Sequence, residues 1–322
     1  MQPSESTGRF LTVRAEEGDS RADVFLSRAA PGLTRSLVQR LMRQGHVLLN
    51  GQPCRPSQNV RAGDSITAHI PPQTAEPQAE QMSLSVVYED ADVVVLDKPA
   101  GLVVHPAPGH AEHTLVNALL ARYPQLHGTD PLRPGIVHRL DKDTSGLMVV
   151  ALNPEAREWL IAQFKAGAVH KEYLCLVSGA MAGPTHIEGA IGRHPTQRKR
   201  MAVIPGGKPA ITDCVVRERL GAFTFIAAHP ATGRTHQIRV HCASVGHPLV
   251  GDTTYGKRAA WRTLEPVVQR QFLHAAGLSL HLPHSSTEHR FASPLPQDLR
   301  EVLARARALA GTNPCPPQSD MI

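Results

Sequence analysis

The chain has 322 residues, 41 % hydrophobic and 19 % charged, enough to bury the cores of about two domains. Its 34 Lys and Arg exceed its 28 Asp and Glu, and the formal charge of +6 favours a polyanionic partner. No apolar run nears the ~18 residues of a membrane span, the polar start lacks a secretory core, and five scattered cysteines argue against a disulfide scaffold or cysteine zinc site and fit a reducing cytoplasm.

Residues 1–19 read as an N-terminal segment, and 20–71 as a compact α+β unit. Ser20 is expected to cap a short helix whose Val24, Phe25, Leu26 and Ala29 form its apolar side. Thr34 should cap a second helix carrying Leu37, Val38, Leu41 and Met42, with Gly45 as its stop. A strand at Val47–Leu49, a tight turn at Asn50-Gly51 and a strand at Ser65–Ile70 complete the unit. On the second helix Arg35, Gln39 and Arg43 are spaced four apart and share one face. Taken alone, such a face is ordinarily just solvated.

Residues 72–83 are rich in Pro, Gln and Glu and read as a tether. From 84 to 310 many short β runs alternate with a few helices, which argues for an α+β domain on a mixed or antiparallel sheet. Val93–Leu96 and Leu147–Val150 look like buried strands, and Lys171–Val177 puts Tyr173, Cys175 and Val177 on one face. Asn153 before Pro154 opens a helix that stops near Gly167. Residues 311–322 read as a flexible tail.

Three segments concentrate reactive groups. Arg133 to Gly146 packs Asp141 and Asp143 among cations and hydroxyls, which could be an ordinary charged turn. Thr232 to His241 is a turn leading into a helix. Its Arg and His oppose the helix dipole and call for a carboxylate, for which Asp141 is the candidate. Lys171-Glu172-Tyr173 sets a phenol on a strand face, where a core aromatic is the plainer reading.

Together these segments resemble the RluA-type pseudouridine synthases. The run H-R-L-D-x-x-T-S-G is intact from His138 to Gly146. D-K-P-A-G-L-V-V-H-P from Asp97, T-L-V-N-A-L-L from Thr114, G-R-T-H-Q-I-R-V-H from Gly233 and G-H-P-L-V-G-D from Gly246 also match. The helix with Gly-His-Val-Leu-Leu-Asn-Gly after it resembles the S4 RNA-binding module, which makes the RluD-like branch acting on large-subunit (23S) ribosomal RNA the nearest. Two features depart from relatives: Ala111-Glu112-His113 before the Thr-Leu-Val, and a C-terminus without an acidic extension.

The resemblance implies isomerisation of uridine to pseudouridine. The N1–C1′ bond breaks, the base turns, and C5 bonds to C1′. No electrons or phosphate are exchanged, so no cofactor is expected, and the chain has neither a phosphate loop nor Gly-x-Gly-x-x-Gly. By motif position Asp141 is the catalytic carboxylate, attacking carbon or removing a sugar proton. Arg239, with Arg234 second, is the cation that favours its charged form. Tyr173 matches the tyrosine that stacks on the base and is a candidate acceptor of the C5 proton. Arg139 fits the residue that fills space around a flipped nucleotide. Arg35, Gln39 and Arg43 would meet RNA phosphates, as would Arg234 and the basic loop of Arg198, Lys199 and Arg200. The expected partner is RNA, with the protein a cytoplasmic monomer. Other readings are a tRNA-directed synthase and a non-catalytic ribosome-assembly protein. His105, His110 and His113 lie close together but match no helix-face zinc spacing, so no metal is expected. Asp141 and Asp143, two apart on an extended loop, point oppositely and make a poor glycosidase couple, leaving Asp143 structural.

Overall fold

Helices α1 (Ala22–Ala29) and α2 (Arg35–Arg43) place Leu26, Val38 and Leu41 against Ile66 and Ala68, all of them buried. The computed structural model that gives this arrangement describes residues 9–16, 18, 20–30, 33–70, 77–106, 112–127, 129–130, 133–197 and 200–311. Arg198, Lys199 and His110 lie outside the described residues, as does the tail beyond Gly311. The chain divides between residues 76 and 77 into two compact units.

In the first unit Thr34 caps α2 as expected, accepting from the Leu37 N–H at 3.3 Å, and Gly45 follows at φ +79°. Two expectations are corrected. Ser20 does not cap α1: it pairs with Val60 in a short strand, and Arg21 holds the N-cap position with no side-chain cap bond. The α+β unit also begins before residue 20, because Arg9–Arg14 in the N-terminal segment is a strand antiparallel to Ser65–Ile70. Leu11 and Val13 alternate inward onto the helices and so give this strand a buried side.

The second unit is built on a mixed sheet, nine-stranded among the described residues. Its order is Thr185–Glu188, Ile211–Leu220, Phe223–Pro230, His170–Ser178, Leu273–His281, Ser145–Ala151, Val93–Lys98, Val86–Glu89, and Glu288–Ala292 also pairs with Leu273–His281. All pairings are antiparallel except Ser145–Ala151 beside Leu273–His281. At that parallel seam Gly146 takes φ +114°, and a Cβ there would meet the Ala275 carbonyl oxygen at 2.2 Å, so the glycine ending the His138–Gly146 run lets the central strands close.

Helix α3 (Leu115–Arg122) buries Leu115, Val116 and Leu119 against Leu96 and Met148. Helix α4 (Pro154–Ala166) starts at Asn153, whose side chain accepts from the Ala156 N–H at 2.9 Å, and ends at Gly167 in the left-handed region. Helix α5 (Gln237–Ser244) packs Ile238 and Cys242 on Val177, Cys214 and Ile226. Helix α6 (Gln297–Ala310) buries Leu299, Val302 and Leu303, each contributing about 1.5–3 kcal/mol by burial. The tether reading of 72–83 is corrected for its second half. The Asn117 amide donates to the Gln78 carbonyl at 2.7 Å, the Glu80 N–H donates to Asn117 O at 2.9 Å, and Glu80 pairs with His113. Among the described residues no helix is long and apolar enough to cross a membrane.

Candidate active site

The loop carrying Asp141 enters the central strand Ser145–Ala151 and is fixed on several sides. His138 Nε2 accepts the Val149 N–H at 3.0 Å and its ring stacks on Phe164. Burial, then the charge of Lys171, pushes His138 down to about 3, so the imidazole is neutral and free to accept. Lys98, only 1 % exposed, donates to the carbonyls of Pro99, Leu102 and Lys142 at 2.7, 2.9 and 3.0 Å. Burial lowers it to about 8, with Asp143 opposing. Arg270 donates to the Asp143 carbonyl at 2.9 Å.

The turn before α5 is tied by Gln237. Its Oε1 accepts from Thr232 Oγ1 at 2.6 Å and from the Arg234 N–H at 3.0 Å, and its amide donates to Ile211 O and Thr212 Oγ1. Arg239, two residues on, then reaches across to the Asp141 loop. Its Nη1 donates to Asp141 Oδ2 at 2.9 Å, while Nε and Nη2 donate to Asp252 at 2.7 and 3.0 Å. Asp252 is fully buried and also accepts the N–H groups of Thr254 and Tyr255. Burial works against the charged guanidinium, but the two carboxylates more than reverse this and raise its pKa. The guanidinium also lies 5.2 Å from the centre of the Tyr255 ring.

His236 sits at the start of α5 in the left-handed region. Tyr255 Oη accepts the Met201 N–H at 2.9 Å and lies 2.8 Å from His236 Nδ1. The other ring nitrogen, Nε2, faces Asp141 Oδ2 at 3.8 Å. Burial lowers the His236 pKa, with the charge of Asp141 opposing.

These groups open onto a cleft of about 750 Å³. Tyr173, Arg139 and Arg234 line it with Asp141 and Arg239, and Arg139 is exposed at its wall. Arg133, Lys165 and Lys171 add positive charge, and among the described lining residues Asp141 is the single carboxylate. Burial and then the charge of Asp141 raise the Tyr173 pKa far above neutrality, so the phenol stays protonated. It offers a ring face and a proton rather than a phenolate. Arg234 does not pair with Asp141: its Nε donates to the Pro209 carbonyl at 3.0 Å. His105 also lines the cleft, buried, with Nδ1 unpartnered. Arg200 also lies over the Tyr255 ring, 5.2 Å from its centre.

In the N-terminal unit, two of the three residues on the α2 face meet a buried carboxylate. Arg35 Nε and Gln39 Nε2 donate to Asp23 Oδ2 at 3.0 and 2.6 Å, alongside Arg21. Burial would raise Asp23, but hydrogen bonds from Arg21, Gln39 and Arg35 hold it well below the usual carboxylate range. Arg43 donates to the Gln39 carbonyl, and its residue is exposed.

Sequence reasoning missed Lys98, His138, His236, Asp252 and Tyr255. The first four stand inside matched motifs, where their roles were legible as positions without partners. Tyr255, three residues beyond the Gly246–Asp252 run, carried no signal.

Comparison with known proteins decides the family. A family model for RNA pseudouridylate synthase matches residues 92–244, and one for the S4 domain matches residues 20–66. An RNA pseudouridine synthase of Chloroflexus aurantiacus, described as uncharacterized, is 49 % identical over 93 % of this chain and 94 % of its own. The chain belongs to the RNA pseudouridine synthase family. The ribosomal large subunit pseudouridine synthase D of Pseudomonas aeruginosa is 40 % identical over 94 % of this chain and 97 % of its own. The structure of human RNA pseudouridylate synthase domain containing 1 matches with a TM-score of 0.53 at 32 % identity, over 70 % of this chain and 95 % of that one. As an RNA pseudouridine synthase, the chain is an isomerase with an S4 domain ahead of its catalytic domain.

Proposed function

We propose that this pseudouridine synthase acts on uridines of large-subunit ribosomal RNA, with Asp141 as its reacting carboxylate. The observation that carries the reading is Asp141 itself, the single carboxylate among the described residues of a cationic cleft, tied to a buried Arg239 at 2.9 Å. Such a cleft suits RNA phosphates, and one fixed carboxylate suits a reaction at C1′ or C2′ of a flipped nucleotide. Arg239 aims the carboxylate and balances its charge. Tyr173 stacks on the base and donates from its phenol. Arg139 occupies space left in the stack. Arg234, Arg198, Lys199 and Arg200 hold backbone, with Arg35 and Arg43 doing so on the S4 unit and Gln39 supporting Arg35 through Asp23. Relatives named large-subunit synthases that align along almost the whole chain support the ribosomal target. Pseudouridine mapping of total RNA from cells with and without this gene tests it. Loss of large-subunit pseudouridines supports the target, and loss confined to tRNA replaces it.

A further inference from the structure

The N-terminal strand Arg9–Arg14 lies outside the residues matched to the S4 domain, and it adds an unusual face to that unit. Along the strand Leu11 and Val13 turn inward, so Phe10, Thr12 and Arg14 turn outward and are exposed. Phe10 is 72 % exposed. It stands opposite His69 in register, and the two rings stack at 4.5 Å with 28° between planes. His46, just before the neighbouring strand Val47–Leu49, meets His69 edge-on at 5.4 Å. Thr12 and Thr67 share a hydrogen bond next along the face, and Arg14 stands opposite Ser65 at its end.

An exposed phenylalanine stacked on histidine could serve several surfaces. Here its neighbours decide. A protein interface wants an apolar core around its aromatic anchor, whereas the outward residues beside Phe10 on its own and the adjoining strand are Thr12, Arg14, Ser65, Thr67 and His69, and on the strand beyond, the half-buried Leu48 opposite Thr67 is a lone aliphatic among these described residues. None is acidic. A flat aromatic surface amid hydroxyls and one cation matches a single-stranded nucleobase, which needs a π-face to stack on and positive charge for its phosphate.

We propose that Phe10, backed by His69 and His46, is a stacking platform for an unpaired nucleobase of the RNA substrate, with Arg14 meeting the adjoining phosphate. This rests on the RNA-directed reading above and adds a contact on the sheet face, separate from the Arg35 and Arg43 face of α2. The platform is tolerant of sequence, because every base offers a π-face. It contributes affinity and placement rather than the choice of uridine.

The test uses the full-length protein and a short oligoadenylate with one central 2-aminopurine, whose fluorescence falls on stacking. The probe has no uridine, so binding is read apart from turnover. Phe10→Ala should weaken probe binding about 5- to 30-fold and reduce the quench, with the salt dependence unchanged because no charge is removed. Phe10→Trp should restore both. Arg14→Gln should weaken binding and make the salt dependence shallower by about one unit of slope. Equal affinity of wild type and Phe10→Ala would overturn the platform. So would self-association of the wild type that Phe10→Ala abolishes, or tighter binding once residues 1–8 are removed, since the ring would then be covered by a second copy or by its own N-terminus. Tritium release from ribosomal RNA labelled at uridine C5 is scored alongside. Turnover with no Phe10-dependent quench refutes the platform alone, and a quench without turnover refutes the catalytic reading alone.

Discussion

Replacing Asp252 by asparagine isolates how Arg239 is held, because Asp252 is fully buried and touches the guanidinium rather than the cleft. The change keeps shape and removes charge. Of the two bonds to Arg239, at 2.7 and 3.0 Å, the amide can keep one through its oxygen. The other becomes an N–H facing an N–H. A hydrogen bond to a charged group is worth about 1.5–3 kcal/mol, and breaking a buried pair outright costs about 3–5. Asp141 still accepts from Nη1, so the loss should fall at about 2–4 kcal/mol. In a unit of this size that lowers Tm by roughly 4–16 °C. With one anchor gone, Arg239 shifts toward Asp141 and misplaces the carboxylate, and a displacement near 1 Å lowers rate by about 10²-fold. Single-turnover tritium release from C5-labelled RNA measures that rate, and filter binding measures affinity. The expected result is a fall in kcat with RNA affinity little changed. Wild-type kcat and Tm in Asp252→Asn would refute the idea that Asp252 positions Arg239.

Stability should fall as pH drops from 6.5 toward about 3, because in that window the unfolded chain protonates His138 and the folded one does not. By pH 5 this amounts to about 2 kcal/mol, read by urea titration, and His138→Gln should flatten the profile. A slope identical in the variant would contradict the neutral imidazole. Lys98→Met orphans the acceptors it serves at Pro99 and Leu102 and loosens the Lys142 carbonyl, so it should lose about 3 kcal/mol or more. A melt within error of wild type would argue against its hold on the Asp141 loop. A fragment starting at Pro77 should be more stable than one starting at Leu84 by about 1–3 kcal/mol, since only the longer keeps Gln78 and Glu80 on Asn117. Equal Tm values would mean that these contacts contribute nothing.

Much of the fold was legible because local chemistry agreed with tertiary demand. Thr34, Gly45, Asn153 and Gly167 marked helix ends that the structure keeps. Strand 9–14 escaped because R-F-L-T-V-R, read alone, has no turn signal and gains its buried side only from α1 and α2. Ser20 failed as a cap because pairing with Val60 claimed its backbone. At the site, motif position placed Asp141, Arg239, Tyr173 and Arg139 on one cleft. It could not supply partners distant in sequence. Asp252 compensates Arg239 from 13 residues away, and Lys98 reaches the Lys142 carbonyl across 44. The sequence asked for an acid beside the α5 arginine and pointed to Asp141, and the structure supplies two.

The central claim is that Asp141 performs the isomerisation. The most direct measurement compares wild type with Asp141→Asn for tritium release from C5-labelled large-subunit ribosomal RNA, with RNA affinity measured in parallel. The account predicts that the variant binds RNA with affinity close to wild type and releases no tritium above background. Release near the wild-type rate by Asp141→Asn would contradict it.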